Sequence, residues 1–253
     1  MRLLLSNDDG VLARGLAALE RAANELGEVF VVAPDREQSA TSHSLTMHHP
    51  LRPVQIGEKR WQVDGTPTDC VMLALEALLP GKPDFVLSGV NHGPNMGEDV
   101  LYSGTVAAAM EGLALGVPAI AFSFAGSVLR ADALLDDHVG TMVRILRHLT
   151  SLEHFPEHTL FNVNIPPIAA DQLKGVRLTR LGRRAYSDSL TRMHDPWGRP
   201  IYWIGGGSVD WRDSAADSDF QAIADGYVSV TPLHLDLTHR DILDRREQWW
   251  RPL

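Results

Sequence analysis

The sequence predicts an α/β fold with a doubly wound, mainly parallel β-sheet, followed by a β-rich C-terminal extension. As far as about residue 170, short and almost continuously apolar strands alternate with amphipathic helices, which is the pattern of parallel βαβ units. Beyond that point, strand and hairpin signals follow one another without helices of matching length. We therefore divide the chain into a core, 1–170, and a hairpin-rich extension with a C-terminal helix, 171–253, as parts of one domain.

The predicted elements of the core follow from local signals. Apolar runs favour buried strands, 3.6-residue periodicity favours helices, and Gly27 is typical of a helix end. Strands are predicted at 2–7, 28–34, 83–89, 118–124 and 159–167. Helices are predicted at 14–27, 66–81, 104–116 and 131–152.

The predicted extension contains strand or hairpin signals at 174–182, 195–207 and 226–233, and a polar helix at 238–250. Of the six tryptophans, all but Trp61 lie beyond residue 195. Aromatic side chains are enriched at subunit interfaces. We therefore expect the extension to take part in oligomerisation.

Composition excludes several classes of function. The net charge is −9, from 23 basic and 32 acidic residues, and no basic stripe is present, so a nucleic-acid duplex is not an expected partner. No apolar run approaches the roughly 20 residues that a membrane helix needs. The single cysteine, Cys70, suits a reducing compartment, and the N-terminal residues lack a signal-peptide pattern. A cytoplasmic location without a membrane partner is expected.

Two adjacent carboxylates, Asp8 and Asp9, follow the first predicted strand in the segment SNDDG. Ligands of doubly wound sheets bind at the carboxyl ends of the strands, and neighbouring anions need a cation or several hydrogen-bond donors. The pair therefore indicates a site for a hard divalent ion such as Mg²⁺ or Mn²⁺. The alternative is that one carboxylate caps the next helix while the other faces water.

Two more oxygen ligands follow neighbouring predicted strands. Ser39 could supply a hydroxyl from the segment APDREQS, and Asn91 could supply an amide oxygen from SGVN. Taken singly, they are a loop or cap serine and a turn asparagine. Their candidacy rests on convergence with Asp8 and Asp9 at one edge of the sheet.

The segment YSGTVAAAMEG predicts an anion site at a helix start. Ser103, Gly104 and Thr105 precede a run of small helical residues, and free N–H groups at a helix N-terminus attract phosphate. Asn95, in the Gly- and Asn-rich loop just upstream, could donate a further hydrogen bond. The alternative is a plain N-cap by Ser103 or Thr105.

Asp69, in the segment GTPTDC, is interpreted as structural. Thr66 as N-cap, Pro67 at the first helical position and Asp69 three residues after the cap form a capping-box pattern. The eleven histidines show no zinc-binding spacing, and His43 is only a candidate for the site by its place in the loop after the second strand.

The segments SNDDG, APDREQS, GTPTDC, SGVNHGPNMGEDVLYSGTVAAAMEG and VSVTPL together resemble the stationary-phase survival protein SurE family, over nearly the whole chain. That resemblance implies a Rossmann-like core and a C-terminal extension exchanged between the subunits of a homodimer or homotetramer. It also implies a metal-dependent nucleotidase that hydrolyses nucleoside 5′- and 3′-monophosphates and, in some members, short polyphosphate.

Carried onto this sequence, the resemblance places the ligands of one divalent cation per subunit, Mg²⁺ or Mn²⁺, on Asp8, Asp9, Ser39 and Asn91. It places the phosphate-binding loop on Asn95, Ser103, Gly104 and Thr105. Asp8 is the candidate general base or nucleophile, and Asp9 is assigned to the metal.

Two alternatives from other classes are a receiver-like Mg²⁺-binding regulatory module and a nucleotide-sensing module. A receiver would carry an aspartate after the third strand, where this chain has SGVN. A dinucleotide-binding module would carry GxGxxG after the first strand, where this chain has SNDDGV.

Overall fold

A nine-stranded, mostly parallel sheet forms the centre of the protein. The computed structural model describes residues 1–127, 133–153, 155–186, 190–204, 209–211, 215–245 and 249–250. Its strands are β1 (Arg2–Ser6), β2 (Glu28–Pro34), β3 (Pro53–Gly57), β4 (Arg60–Val63), β5 (Phe85–His92), β6 (Ala119–Phe124), β7 (Thr159–Ile165), β8 (Val176–Leu178), β9 (Arg184–Tyr186), β10 (Leu190–His194), β11 (Pro200–Ile204), β12 (Val209–Trp211) and β13 (Val228–His234).

The α-helices with described bounds are α1 (Arg14–Asn24), α2 (Pro67–Leu73), α3 (Gly104–Ala114), α4 (Val139–Thr150), α5 (Asp219–Ala224) and α6 (Arg240–Asp244). A π-helical turn, Ala74–Leu78, continues α2, and short 3₁₀ segments lie at Gly97–Leu101 and Ala170–Gln172. Parts of three predicted elements lie outside the described residues. They are the first residues of the predicted helix 131–152, residues 246–248 of the predicted helix 238–250, and the glycines at 205–207.

The sheet order is β3-β4-β2-β1-β5-β6-β7-β13-β8. Strands β4, β2, β1, β5, β6 and β7 run parallel to their neighbours in that order. Only the β3–β4 and β7–β13 pairs of this sheet are antiparallel. The predicted doubly wound, mainly parallel α/β sheet is therefore confirmed.

Both faces of the sheet are buried, because successive side chains of a strand point to opposite faces. Leu3 and Leu5 of β1 join the cluster that contains α1 and α4, whereas Leu4 joins the cluster that contains α2 and α3. All three leucines are 0% exposed. A continuous apolar run such as LLL is thus the expected sequence of a strand covered by helices on both sides.

The C-terminal part of the chain contributes to the main sheet as well as to smaller pairs. Strands β13 and β8, which both come after residue 170 in the sequence, extend the sheet beyond β7. Strands β10 and β11 form a separate antiparallel hairpin whose residues are exposed, and β9 pairs with β12.

Helix α2 begins with the predicted capping box. The Thr66 hydroxyl accepts a hydrogen bond from the Asp69 N–H at 3.1 Å, and Asp69 Oδ2 accepts one from the Thr66 N–H at 2.8 Å. Asp69 Oδ1 also accepts from the Thr46 N–H at 2.9 Å, so the same carboxylate holds the loop that follows β2. The structural interpretation of Asp69 agrees with this geometry.

Replacing Asp69 by Ala is expected to lower the free energy of unfolding by about 0.5–2 kcal/mol, the usual cost of losing a cap. The measurement is urea denaturation followed by circular dichroism. Asp241→Ala, which removes an exposed acid from the first turn of α6, is the matched control and should change the value little. Equal stability of the two variants would contradict the structural role of Asp69.

Candidate active site

The loops after β1, β2 and β5 lie at one edge of the sheet, because these strands are parallel neighbours. Two backbone hydrogen bonds join the first two loops. The Val11 N–H donates to the Pro34 carbonyl at 2.8 Å, and the Gln38 N–H donates to the Asp8 carbonyl at 2.7 Å. The acidic turn after β1 is thereby held against the loop after β2.

The Asp8 carboxylate is buried at the start of α3. It is 4% exposed, and its Oδ1 accepts a hydrogen bond from the hydroxyl of Thr105. The pKa of Asp8 is raised to about 6, chiefly because the carboxyl is buried; the hydrogen bond from Thr105 opposes this rise and the neighbouring Asp9 adds to it. The protein alone therefore disfavours the charged form of Asp8 relative to water.

Gly104 allows the close approach of Asp8 to α3. A Cβ atom at Gly104 would lie 2.8 Å from the Asp8 Cβ and 2.9 Å from its Oδ2, distances that no side chain tolerates without movement. Ser103 caps the same helix, since its hydroxyl accepts from the Val106 N–H at 3.1 Å. The hydroxyls of Ser103 and Thr105 are thus engaged with the protein itself, as a cap and as a partner of Asp8.

Asp9 lies beside the carboxyl end of β5. Its Oδ1 is 3.5 Å from Nδ1 of His92. Among the described residues, the buried Oδ2 of Asp9 has no hydrogen-bond partner. A buried carboxylate oxygen without a donor is costly, and a bound cation is one way to satisfy it.

Ser39 and Asn91 lie in the two segments that flank the acidic turn, the loop after β2 and the end of β5. Ser39 follows Gln38, the residue bound to the Asp8 backbone, and its exposed hydroxyl donates to Glu37 at 2.7 Å. The amide of Asn91 donates to the Gly93 carbonyl at 2.9 Å, so its acceptor oxygen is the atom left for a ligand.

These residues fit a hard divalent cation by the chemistry of their donors. Two carboxylates, a hydroxyl and an amide oxygen are ligands that Mg²⁺ and Mn²⁺ accept. In the described part of the chain, no group of three or more His, Cys, Asp or Glu side chains could hold a metal. A site here would therefore need the neutral oxygens of Ser39 and Asn91 in addition to Asp8 and Asp9.

Asn95 is buried, at 6% exposure, and is surrounded by hydrogen bonds. Its side-chain amide donates to the Ser123 hydroxyl at 2.8 Å. Its backbone N–H donates to Oδ1 of Asn164 at 2.9 Å, and its carbonyl accepts from Asn162 at 2.8 Å and from Asn164 at 3.0 Å. Asn95 is therefore held rigidly at the edge that carries the acidic pair.

Sequence reasoning assigned no role to His92, although it follows Asn91 directly in the segment SGVNHG. The only feature of the sequence that could have placed His92 near the site is its position one residue after the predicted ligand Asn91. His43 instead pairs with α3, where its Nε2 lies 2.8 Å from Oε2 of Glu111. This contact ties the loop after β2 to the helix that begins beside Asp8.

Comparisons with known proteins match the chain over most of its length. The family model described as "Survival protein SurE" matches residues 3–188. The chain belongs to the SurE family. The "5′-nucleotidase SurE" of Gemmatimonas aurantiaca is 73% identical over 251 residues, covering 99% of each chain. That of Geotalea uraniireducens is 47% identical over 249 residues, covering 98% of this chain and 99% of its own.

A solved SurE structure has the same fold. The crystal structure of the SurE protein from Aquifex aeolicus superposes with a TM-score of 0.86 at 43% identity, covering 98% of this chain and 99% of that chain. Membership of this family does not favour the two alternative functions, a receiver-like module and a nucleotide-sensing module. None of its described helices is long and apolar enough to cross a membrane.

The contact between Gly104 and Asp8 predicts a steric penalty for a larger residue. Gly104→Ala is expected to lower the free energy of unfolding by about 1–3 kcal/mol, the usual cost of overpacking. Thermal melting without added metal measures the change.

Gly140→Ala is the matched control, because a Cβ atom at Gly140 in α4 meets nothing within 4 Å. It should raise the unfolding free energy by about 0.4–1 kcal/mol through reduced freedom of the unfolded chain. If both substitutions stabilise the protein, the close approach of Gly104 to Asp8 is wrong.

Proposed function

We propose that this SurE protein is a metal-dependent phosphomonoesterase that hydrolyses nucleoside 5′-monophosphates to nucleoside and phosphate. The observation that carries the proposal is the adjacent Asp8–Asp9 pair, in which Asp8 is buried beside the start of α3. The curated relatives named 5′-nucleotidase support it, at 73% and 47% identity over nearly the whole chain. The family resemblance extends the proposed substrates to nucleoside 3′-monophosphates and short polyphosphate.

The proposed ligands of one divalent cation per subunit, Mg²⁺ or Mn²⁺, are Asp8, Asp9, Ser39 and Asn91. The unsatisfied Oδ2 of Asp9 supports this assignment. Such a cation supplies positive charge that stabilises the phosphoryl group in the transition state.

The proposed phosphate-binding residues are Asn95, Ser103, Gly104 and Thr105. Because the Thr105 hydroxyl donates to Asp8, we assign to this helix start an electrostatic contribution from its backbone dipoles. The Ser103 hydroxyl accepts from the Val106 N–H and keeps its own proton for a phosphate oxygen. Thr105 has a second role, since its hydroxyl orients the Asp8 carboxylate. Asp8, oriented in this way, acts as general base or nucleophile.

The extension, 171–253, is proposed to join subunits in a homodimer or homotetramer. Its β10–β11 hairpin exposes several large apolar side chains, among them Trp203 at 65% and Ile204 at 90%. Exposed apolar patches of this kind mark interaction sites. The buried free thiol of Cys70 supports a reducing, cytoplasmic location.

Phosphate release from a nucleoside 5′-monophosphate in Mn²⁺, lost in EDTA, is the expected activity. Asp8→Asn should lower kcat by at least roughly 100-fold, because a neutral amide is neither base nor nucleophile. It should also lose most of the rise in melting temperature that Mn²⁺ gives the unsubstituted protein by mass action.

The matched control is Asp171→Asn, the same substitution at an exposed position in the 3₁₀ segment Ala170–Gln172. It should keep both the activity and the response to Mn²⁺. Normal turnover by Asp8→Asn, with an intact metal response, would exclude the proposed role of Asp8.

Multi-angle light scattering at micromolar concentration should report at least a dimer. Replacing Trp203 and Ile204 by Ser in the hairpin should weaken association, since it removes apolar surface available to a partner subunit. A fully active monomer of the unsubstituted protein would rule out the proposed assembly.

A further inference from the structure

We infer that Asp219, Asn162 and Asn164 are positioning residues that hold the segment 93–97, and with it Asn95, at the edge of the sheet. The inference rests on the proposed function, in which Asn95 binds the phosphate group. None of the three positioning residues belongs to the proposed metal or phosphate sites. The two asparagines come from β7, and Asp219 comes from the start of α5.

The two asparagines of β7 hold Asn95 by its backbone. Asn162 and Asn164 are two residues apart, so their side chains lie on one face of the strand, and both are 0% exposed. Both donate to the Asn95 carbonyl, at 2.8 and 3.0 Å, and Asn164 also accepts from the Asn95 N–H at 2.9 Å. The peptide groups on both sides of the Asn95 side chain are therefore fixed by side chains of one strand.

Asp219 holds the other end of the segment. Its Oδ2 accepts from the Gly97 N–H at 2.8 Å, and its Oδ1 accepts from the N–H groups of Gly182 at 2.8 Å and Phe220 at 2.9 Å. The carboxylate is 0% exposed. The bond between Asp219 and Gly97 joins positions 122 residues apart. Hydrogen bonds to a charged acceptor are roughly twice as strong as neutral ones.

Local packing leaves the segment little freedom near Asp219. Gly97 has a φ of +53°, and a Cβ atom there would lie 2.8 Å from the Phe220 ring and 2.9 Å from the Gly182 carbonyl. Residues 93–96 belong to no helix or strand, so no regular backbone ladder orders them. The Gly93 N–H donates to the Phe124 carbonyl at 3.0 Å, but the position of Asn95 depends on the side chains that hold it. Small displacements of a binding group can cost roughly 100-fold in rate.

The test compares Asp219→Asn with Asp225→Asn. Asp225 lies just after α5 and pairs with Arg177 at 2.6 Å at the surface, so it is a matched control. The two carboxylate oxygens of Asp219 accept from three N–H groups. In Asp219→Asn, an NH₂ group replaces one of these oxygens and cannot accept a hydrogen bond. We expect its KM for a nucleoside 5′-monophosphate and its inhibition constant for inorganic phosphate to rise roughly 10- to 100-fold, while the control stays within twofold of the unsubstituted protein.

The rise in melting temperature on adding Mn²⁺ distinguishes positioning from a general loss of structure. It should be the same in Asp219→Asn as in the unsubstituted protein, because Asp219 holds the Gly97 end of the segment, whereas the proposed ligand Asn91 contacts Gly93 at the opposite end. Amide hydrogen exchange at Asn95 and Gly97 should become faster in Asp219→Asn than in Asp225→Asn. A folded Asp219→Asn variant with unchanged KM, phosphate inhibition and amide exchange would overturn the inference.

Asn162→Ala gives a second, milder variant if Asp219→Asn does not fold. It removes one of two donors to the Asn95 carbonyl and leaves Asn164 in place, so it should raise KM in the same direction. Unchanged KM in this variant would also overturn the inference. If the unsubstituted protein releases no phosphate, the proposed function fails, whereas amide exchange at Asn95 and Gly97 in these variants still decides whether the residues position the segment.

Discussion

The burial of the Asp8 carboxylate against the start of α3 is the constraint on which the rest of the site depends. A carboxylate that is 4% exposed must be compensated by donors or by a cation. One compensation is present in the hydroxyl of Thr105. The glycine at 104 makes the approach possible, since a Cβ there would lie 2.8 Å from Asp8. The unsatisfied oxygen of Asp9 leaves part of the compensation to a bound cation, in agreement with the proposed chemistry.

The topology of the sheet explains why distant segments meet at this one edge. Parallel pairing of β2, β1, β5 and β6 brings the loops after these strands to the same side, as expected for ligand sites of doubly wound sheets. The antiparallel strand β13 then extends the sheet beyond β7, and the short helix before it carries Asp219 back to Gly97. The C-terminal third therefore contributes to the order of the candidate site as well as to exposed surface.

Several features of the fold could be predicted because their causes are local. The capping box of α2 needs only Thr66 and Asp69 at the right spacing, and the structure contains it. Leu3, Leu4 and Leu5 indicate a strand buried on both faces, as observed. The β3–β4 hairpin was not predicted, because β3 is a short, exposed edge strand that begins with a proline, and its only apolar side chains are Val54 and Ile56. The parallel addition of β8 to β13 depends on long-range pairing.

By itself, the sequence determined the α/β class, the order of most strands and helices, and the acidic pair at the end of β1, because apolar periodicity and turn residues act over a few positions. Through its resemblance to a known family, it also indicated the candidate ligands and substrate class. Only the tertiary structure decided what each side chain contacts. It placed the Thr105 hydroxyl on Asp8, and it surrounded Asn95 with Ser123, Asn162 and Asn164. These hydrogen bonds join residues 28 to 97 positions apart, and no local pattern specifies a partner at that distance.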